Sequence, residues 1–193
     1  MNRIIRDLIS AVQLSLTDNL PKEIYDIKGM SSNKVRNLLN NVCNFTNYNY
    51  LEIGTWKGST CVSSLYNNKF DKAYIIDNWS FHGDHDNIKN DFYNNINTFL
   101  IKRINDIKVY DEDCFSLPLK KIDNKIDIYL YDGDHTYDSQ KKALTYYYEI
   151  LNNEFIFIVD DWNYEDVSRG TYDAIDELDL KIKFMTILPA RTN

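Results

Sequence analysis

Cysteine is scarce in this chain. Cys43, Cys61 and Cys114 are an odd number in 193 residues, with no CxxC or histidine-paired spacing. That pattern favours reduced thiols in a cytosolic protein over a disulfide framework. Positive charge is also short. Lys plus Arg number 22 against 29 Asp plus Glu, a formal net charge of -7. Such a balance argues against a nucleic-acid partner held through its phosphates. No apolar run approaches the roughly 20 residues of a membrane span. The opening stretch MNRIIRDLISAVQLSL is interrupted by Asp7 and Gln13, so it lacks the apolar core of a signal peptide. No internal repeat or low-complexity linker appears. The expectation is a cytoplasmic protein, long enough for one core, with no membrane partner.

What is present is an alternation of helical and extended patterns. Ile4, Leu8 and Val12 fall four apart with Ile5 and Ile9 beside them, which predicts an amphipathic helix over 1–16. A second helix is expected over about 32–44, capped by Ser31 or Ser32 and carrying Val35, Leu38, Leu39 and Val42. Between them, 20–30 holds Pro21 and Gly29 and reads as a loop. Apolar runs at 50–53, 73–76, 107–110, 126–131 and 155–159 then alternate with helical stretches at about 59–67, 86–104, 138–152 and 166–179. The run 155–159 is continuously apolar, as in a strand covered on both faces. The order predicts right-handed crossovers and a Rossmann-like three-layer α/β/α sandwich with a mainly parallel sheet. Residues 1–45 are expected as a helical lid or extension, and 46–193 as the ligand-binding unit. A sixth strand is expected at 182–188, leaving only residues 189–193 after it. The sheet would then be shortened, with an exposed final edge and a tendency to dimerise.

Ligands bind such sheets outside the carboxyl ends of the strands, so the residues following each strand carry the function. After the first strand, Gly54 and Gly58 frame a turn that is neither GxGxxG nor a phosphate-binding loop. Asp77 ends the second strand, 25 positions after Glu52, and can accept the hydroxyls of a ribose. Asp113 and Cys114 follow the third strand, where a carboxylate and an amide can meet adenine. The fourth strand ends in Asp132-Gly133-Asp134-His135-Thr136-Tyr137 and the fifth in Asp160-Asp161-Trp162. Neighbouring strands lie about 5 Å apart, so these acids converge. A divalent cation would relieve their repulsion; caps and turns are the plainer reading.

Together these residues resemble the class I S-adenosylmethionine-dependent methyltransferases, over roughly 50–170. The segment Glu52-x-Gly54-x-x-x-Gly58, with Thr55 and Ser59, looks like their first motif. Asp77 looks like the ribose acid and Asp113-Cys114 like the adenine pair, with Asp132 also beside the cofactor. DGDHTY followed by VDDW is similar to the metal-dependent, macrocin-type O-methyltransferases of natural-product sugars. That resemblance implies Asp132, Asp160 and Asp161 as ligands of Mg²⁺ (or Mn²⁺ or Ca²⁺) and Asp134 as base. The chain departs from it at His135-Thr136, where those enzymes tend to have Leu-Tyr. Catechol-type methyltransferases carry a lysine base at the position His135 takes, and a histidine titrates near neutrality. The implied activity is metal-assisted O-methylation of a small hydroxylated acceptor. Two other readings stay open: a non-catalytic protein binding the cofactor or a nucleoside, and a metal-dependent enzyme of the cephalosporin hydroxylase type. His82, Asp84 and His85 read as a solvated loop or substrate lid, and Tyr146, Tyr147 and Tyr148 as helix packing.

Overall fold

Side chains alternate along each strand, and the alternation divides the core into two layers. A computed structural model of the chain describes residues 3–80 and 83–188. Its strands are β1 (Thr46–Ile53), β2 (Lys69–Ile76), β3 (Ile107–Tyr110), β4 (Ile126–Tyr131) and β5 (Leu151–Val159). They form one all-parallel sheet in the order β3-β2-β1-β4-β5. The helices are α1 (Arg3–Leu14), α2 (Lys22–Tyr25), α3 (Asn33–Val42), α4 (Ser59–Leu65), α5 (His85–Phe99), α6 (Tyr137–Tyr147) and α7 (Glu165–Glu177).

Tyr50, Ala73, Ile75, Ile128 and Leu130 face one layer, where they pack with residues of α1 to α5. Leu51, Ile53, Tyr74, Ile76, Tyr129 and Tyr131 face the other, against Ala143, Leu144 and Tyr147 of α6 and Ala174 of α7. Helices thus cover both faces, and the Rossmann-like expectation holds. Ser32 caps α3 by accepting the Val35 amide, and the helix packs on α4. The segment entering α3 brings Gly29 and Ser31 against Ser59, the first residue of α4.

Register aligns the strand ends. Ile53 lies opposite both Ile76 and Tyr131, Ile76 opposite Tyr110, and Tyr131 opposite Val159. The residues that follow are Gly54, Asp77, Asp111, Asp132 and Asp160, so one glycine and four aspartates start the loops in a single row. The ladder runs on into them. The amides of Gly54, Asp77, Asp132 and Asp160 donate to Ile76, Tyr110, Ile53 and Tyr131 carbonyls at 2.9–3.1 Å. Crossovers leave in opposite directions from β1 and β4, which makes the gap between their ends the topological switch point.

Three expectations need correction. The loop over 20–30 contains the short helix α2. The segment 182–188 forms no strand, so the sheet has five strands among the described residues, not six. Its apolar residues suggested a strand, but a strand also needs a backbone partner. Lys183 instead pairs with Glu154, and Tyr172 donates to Met185 Sδ at 3.5 Å. Finally, Phe155 to Val159 are only half-buried, because β5 is an edge with β4 as its one neighbour. An apolar run does not distinguish a central strand from an edge. Residues 189–193, which bear on the expected final edge, lie outside the described residues.

Candidate functional site

The β1–α4 loop is held from below and from the side. Gly54 and Gly58 both take φ of 82°, a left-handed backbone that other residues rarely adopt. A Cβ on Gly54 would lie 1.8 Å from the Asp132 carbonyl oxygen, so only glycine lets β1 and β4 approach this closely at the switch point. Glu52 is fully buried beneath the loop, accepting from Tyr50 at 2.6 Å and Thr60 at 2.7 Å. Burial pushes its carboxyl up to about 7. It braces the loop and does not line an open surface. Thr55 and Ser59 are likewise buried.

Asp77 serves its own loops. Oδ2 accepts the amides of Thr55 (2.9 Å) and Trp56 (2.7 Å), and Oδ1 accepts that of Trp79 (2.7 Å). A carboxylate has about four acceptor positions, so one remains here. The other three tie the β1 and β2 loops together, beside the expected ribose-binding role of Asp77. Trp56 and Trp79, with φ of 49° and 50°, carry left-handed strain rare in bulky residues. The buried Trp79 indole donates to the Trp56 carbonyl at 2.8 Å and packs on Phe92 and Tyr93.

Asp113 is exposed and turns inward on its own segment, Oδ1 accepting the Phe115 amide at 3.1 Å. Cys114 is half-buried; its carbonyl accepts from Tyr147, and burial raises its thiol to about 12. In the FHGDHD stretch, Asp84 accepts from Asn87, and His85 lies 3.1 Å from Asp86 and 3.7 Å from Asp111. His82 lies outside the described residues. Tyr147 is buried and Tyr148 exposed on the tyrosine helix.

Charged side chains meet at the ends of β4 and β5. His135 projects Nε2 between two carboxylates, 3.6 Å from Asp132 Oδ1 and 3.4 Å from Asp161 Oδ2. Its interaction with Asp132, and then the charge of Asp161, raise the imidazole pKa, against the opposing effect of burial. Burial and the charge of Asp160 push Asp132 up to about 6 despite His135, and Asp161 is raised by the same two causes. Asp161 also takes a left-handed φ of 50° and bonds back through its amide to Asp160 Oδ1 at 3.0 Å. Asp134 stands apart from this group. Its Oδ2 accepts the hydroxyls of Ser139 and Thr136, both at 2.6 Å, and these bonds hold its pKa below the usual carboxylate value. These bonds make it a brace for the start of α6.

The expected metal ligands do not gather as a metal requires. Among the described residues, no group of three or more His, Cys, Asp or Glu side chains is arranged to hold an ion. The imidazole of His135 stands between Asp132 and Asp161 instead. Tyr164, Glu165 and Asp166, which sequence reasoning did not single out, line with His135 an open surface hollow of about 350 Å³. The Tyr164 ring lies 6.0 Å from that of His135. The one available signal was position, just past the fifth strand's DDW.

Residues 51–162, from the β1 loop through the DDW segment, match the family model of a methyltransferase domain. The chain belongs to that methyltransferase family. A curated relative, uncharacterized protein R132 of Acanthamoeba polyphaga mimivirus, is 32% identical over 114 residues, 58% of this chain and 51% of the relative. The chain therefore matches about half of that relative's length. Among solved structures, the methyltransferase is similar to a precorrin 8W decarboxylase from Methanobacterium thermoautotrophicum, at TM-score 0.59 and 15% identity over 83% of this chain and 81% of that one. It is also similar to an O-methyltransferase from Bacillus cereus in complex with S-adenosylhomocysteine, at TM-score 0.57 and 14% identity over 90% and 79%. At these identities the likeness is one of fold. No described helix of the methyltransferase is long and apolar enough to cross a membrane.

Proposed function

We propose that this methyltransferase uses S-adenosylmethionine to methylate a hydroxyl of a small acceptor, with His135 as general base. The observation that carries the reading is the His135 imidazole lodged between Asp132 and Asp161 at the switch-point edge. Membership of the methyltransferase family and the glycine-bearing β1 loop support the cofactor. A fold shared with an O-methyltransferase in complex with S-adenosylhomocysteine agrees with it.

When bound, S-adenosylmethionine supplies an electrophilic methyl on a sulfonium. The chain has three tasks. The Gly54–Gly58 loop, kept open by Asp77 and Glu52, admits the cofactor at close backbone approach. The hollow lined by Tyr164, Glu165 and Asp166 holds the acceptor hydroxyl near His135. With Nε2 turned to the carboxylates, Nδ1 is left to take the hydroxyl proton as the oxygen–carbon bond forms and the carbon–sulfur bond breaks, its electron pair leaving with sulfur in S-adenosylhomocysteine. Asp132 and Asp161 then stabilise the imidazolium. Oxygen ligands would suit Mg²⁺, but the three aspartates do not fit it as arranged, so no step is routed through a metal.

The test is methyl transfer to a panel of hydroxylated acceptors, read by a mass gain of one methyl. His135→Gln should lower kcat about 100-fold or more and leave S-adenosylhomocysteine affinity nearly unchanged. Transfer should survive EDTA. Undiminished transfer by His135→Gln would remove it as base, and loss on chelation restored by Mg²⁺ would assign the acids to a metal.

A further inference from the structure

Residues 55–58 of the β1–α4 loop are tied down along their whole length by residues 77–95. The amides of Thr55 and Trp56 are taken by Asp77 Oδ2. The next two carbonyls each accept from a side chain: Trp56 from the Trp79 indole at 2.8 Å, and Lys57 from Asn95 Nδ2 at 2.9 Å. The largely buried Lys57 side chain pairs with Asp91. A Cβ on Gly58 would come within 2.9 Å of the Phe92 ring, so glycine lets that ring close on the loop. Asp91 and Phe92 stand four and three residues before Asn95, on one face of α5. Phe92 is fully buried, its ring 5.5 Å from that of Trp79. A turn that merely joins β1 to α4 is already closed by Gly54, Gly58 and the bond from the Gly58 amide to the Thr55 carbonyl at 2.8 Å. The added ties fix one conformation of it. They hold Trp56 at a left-handed φ of 49°, which a bulky residue keeps only where its surroundings over-determine it.

We propose that Trp79 and Asn95 are positioning residues for the cofactor, holding the Trp56 and Lys57 carbonyls so that the loop stands ready before the ligand arrives. The inference rests on the proposed use of S-adenosylmethionine at this loop. Loss of either donor leaves a carbonyl unpaired and lets the strained Trp56 relax. Only a fraction of molecules then presents a competent loop, and the apparent affinity drops by that fraction. The chemical step is spared, because neither side chain lines the hollow at His135.

Two variants of the full chain test this. Trp79→Phe keeps a ring against Phe92 and Tyr93 but removes the indole donor, and Asn95→Leu removes the amide at similar volume. By calorimetry each should bind S-adenosylhomocysteine about tenfold more weakly, the weight of one lost hydrogen bond. KM for S-adenosylmethionine should rise alike, with kcat at saturating cofactor within about twofold of wild type. A merely structural residue would lower kcat with the folded fraction and leave Kd where it was. Asn95→Leu serves alone if Trp79→Phe does not fold. Wild-type affinity in a folded variant, or lost kcat at unchanged Kd, overturns the inference and leaves the cofactor reading standing. Wild-type protein that binds no S-adenosylhomocysteine overturns both.

Discussion

Glu52 and His135 show how the same fold shifts two ionisable groups for different ends. Glu52 is sealed under the β1 loop, where burial moves its carboxyl from 4.5 to about 7. Between those values the unfolded chain releases a proton that the folded chain keeps. Stability from this group therefore falls as pH rises through that window. Glu52→Gln is neutral throughout and should show a shallower loss of melting temperature from about pH 4.5 to about pH 7. An unchanged slope would mean that the buried carboxyl is already ionised. His135 shifts stability in the same sense, for a different reason. Its folded pKa is raised, chiefly by Asp132, so the stability it adds is present at low pH and lost as pH rises through the folded value. Catalysis runs the other way, because a base must be unprotonated. The acid limb of kcat/KM should have its midpoint above the ordinary imidazole value and vanish in His135→Gln. A limb below that value would contradict the pairing with Asp132.

At the scale of elements, the strand ends were legible because an apolar run followed by an acid is a local pattern. Asp77, Asp132 and Asp160 all follow such runs, and register places them in one row. What those acids bond to was not legible. Asp77 reaches amides 21 and 22 positions before it, and nothing near Asp77 in sequence marks that closure. Asp134 could be read as a base or a brace, and only the structure shows its bonds to Ser139 and Thr136. Asp77→Ala removes three charge-assisted bonds from two strained loops, so it should cost about 2–4 kcal/mol of stability. S-adenosylhomocysteine affinity should fall with it. Calorimetry and thermal melting on the same variant decide the matter. Lost affinity at an unchanged melting temperature would return Asp77 to a purely ribose-binding role.

For the whole molecule, the sequence conveyed the layer order through its alternating elements but misjudged the border. β5 was expected to be covered on both faces and is a half-buried edge, and 182–188 looked like a strand but pairs with none among the described residues. Half-buried Phe155, Ile156, Phe157, Ile158 and Val159 beside an unpaired backbone favour association with another chain. We expect dimers by light scattering at tens of micromolar, reduced by Ile156→Lys or Ile158→Lys on that edge. A monomeric mass throughout would show that the edge is sufficiently shielded.

The central claim is that the ends of β1 and β4, drawn together at Gly54, form a cofactor site. Titrating the full chain with S-adenosylhomocysteine by calorimetry tests it most directly. The account predicts one saturable site per chain, with a Kd on the order of micromolar, displaced by S-adenosylmethionine. It also predicts loss of binding in Gly54→Val, whose side chain would meet the Asp132 carbonyl. Wild-type protein that remains folded and shows no saturable binding at about millimolar ligand would contradict it.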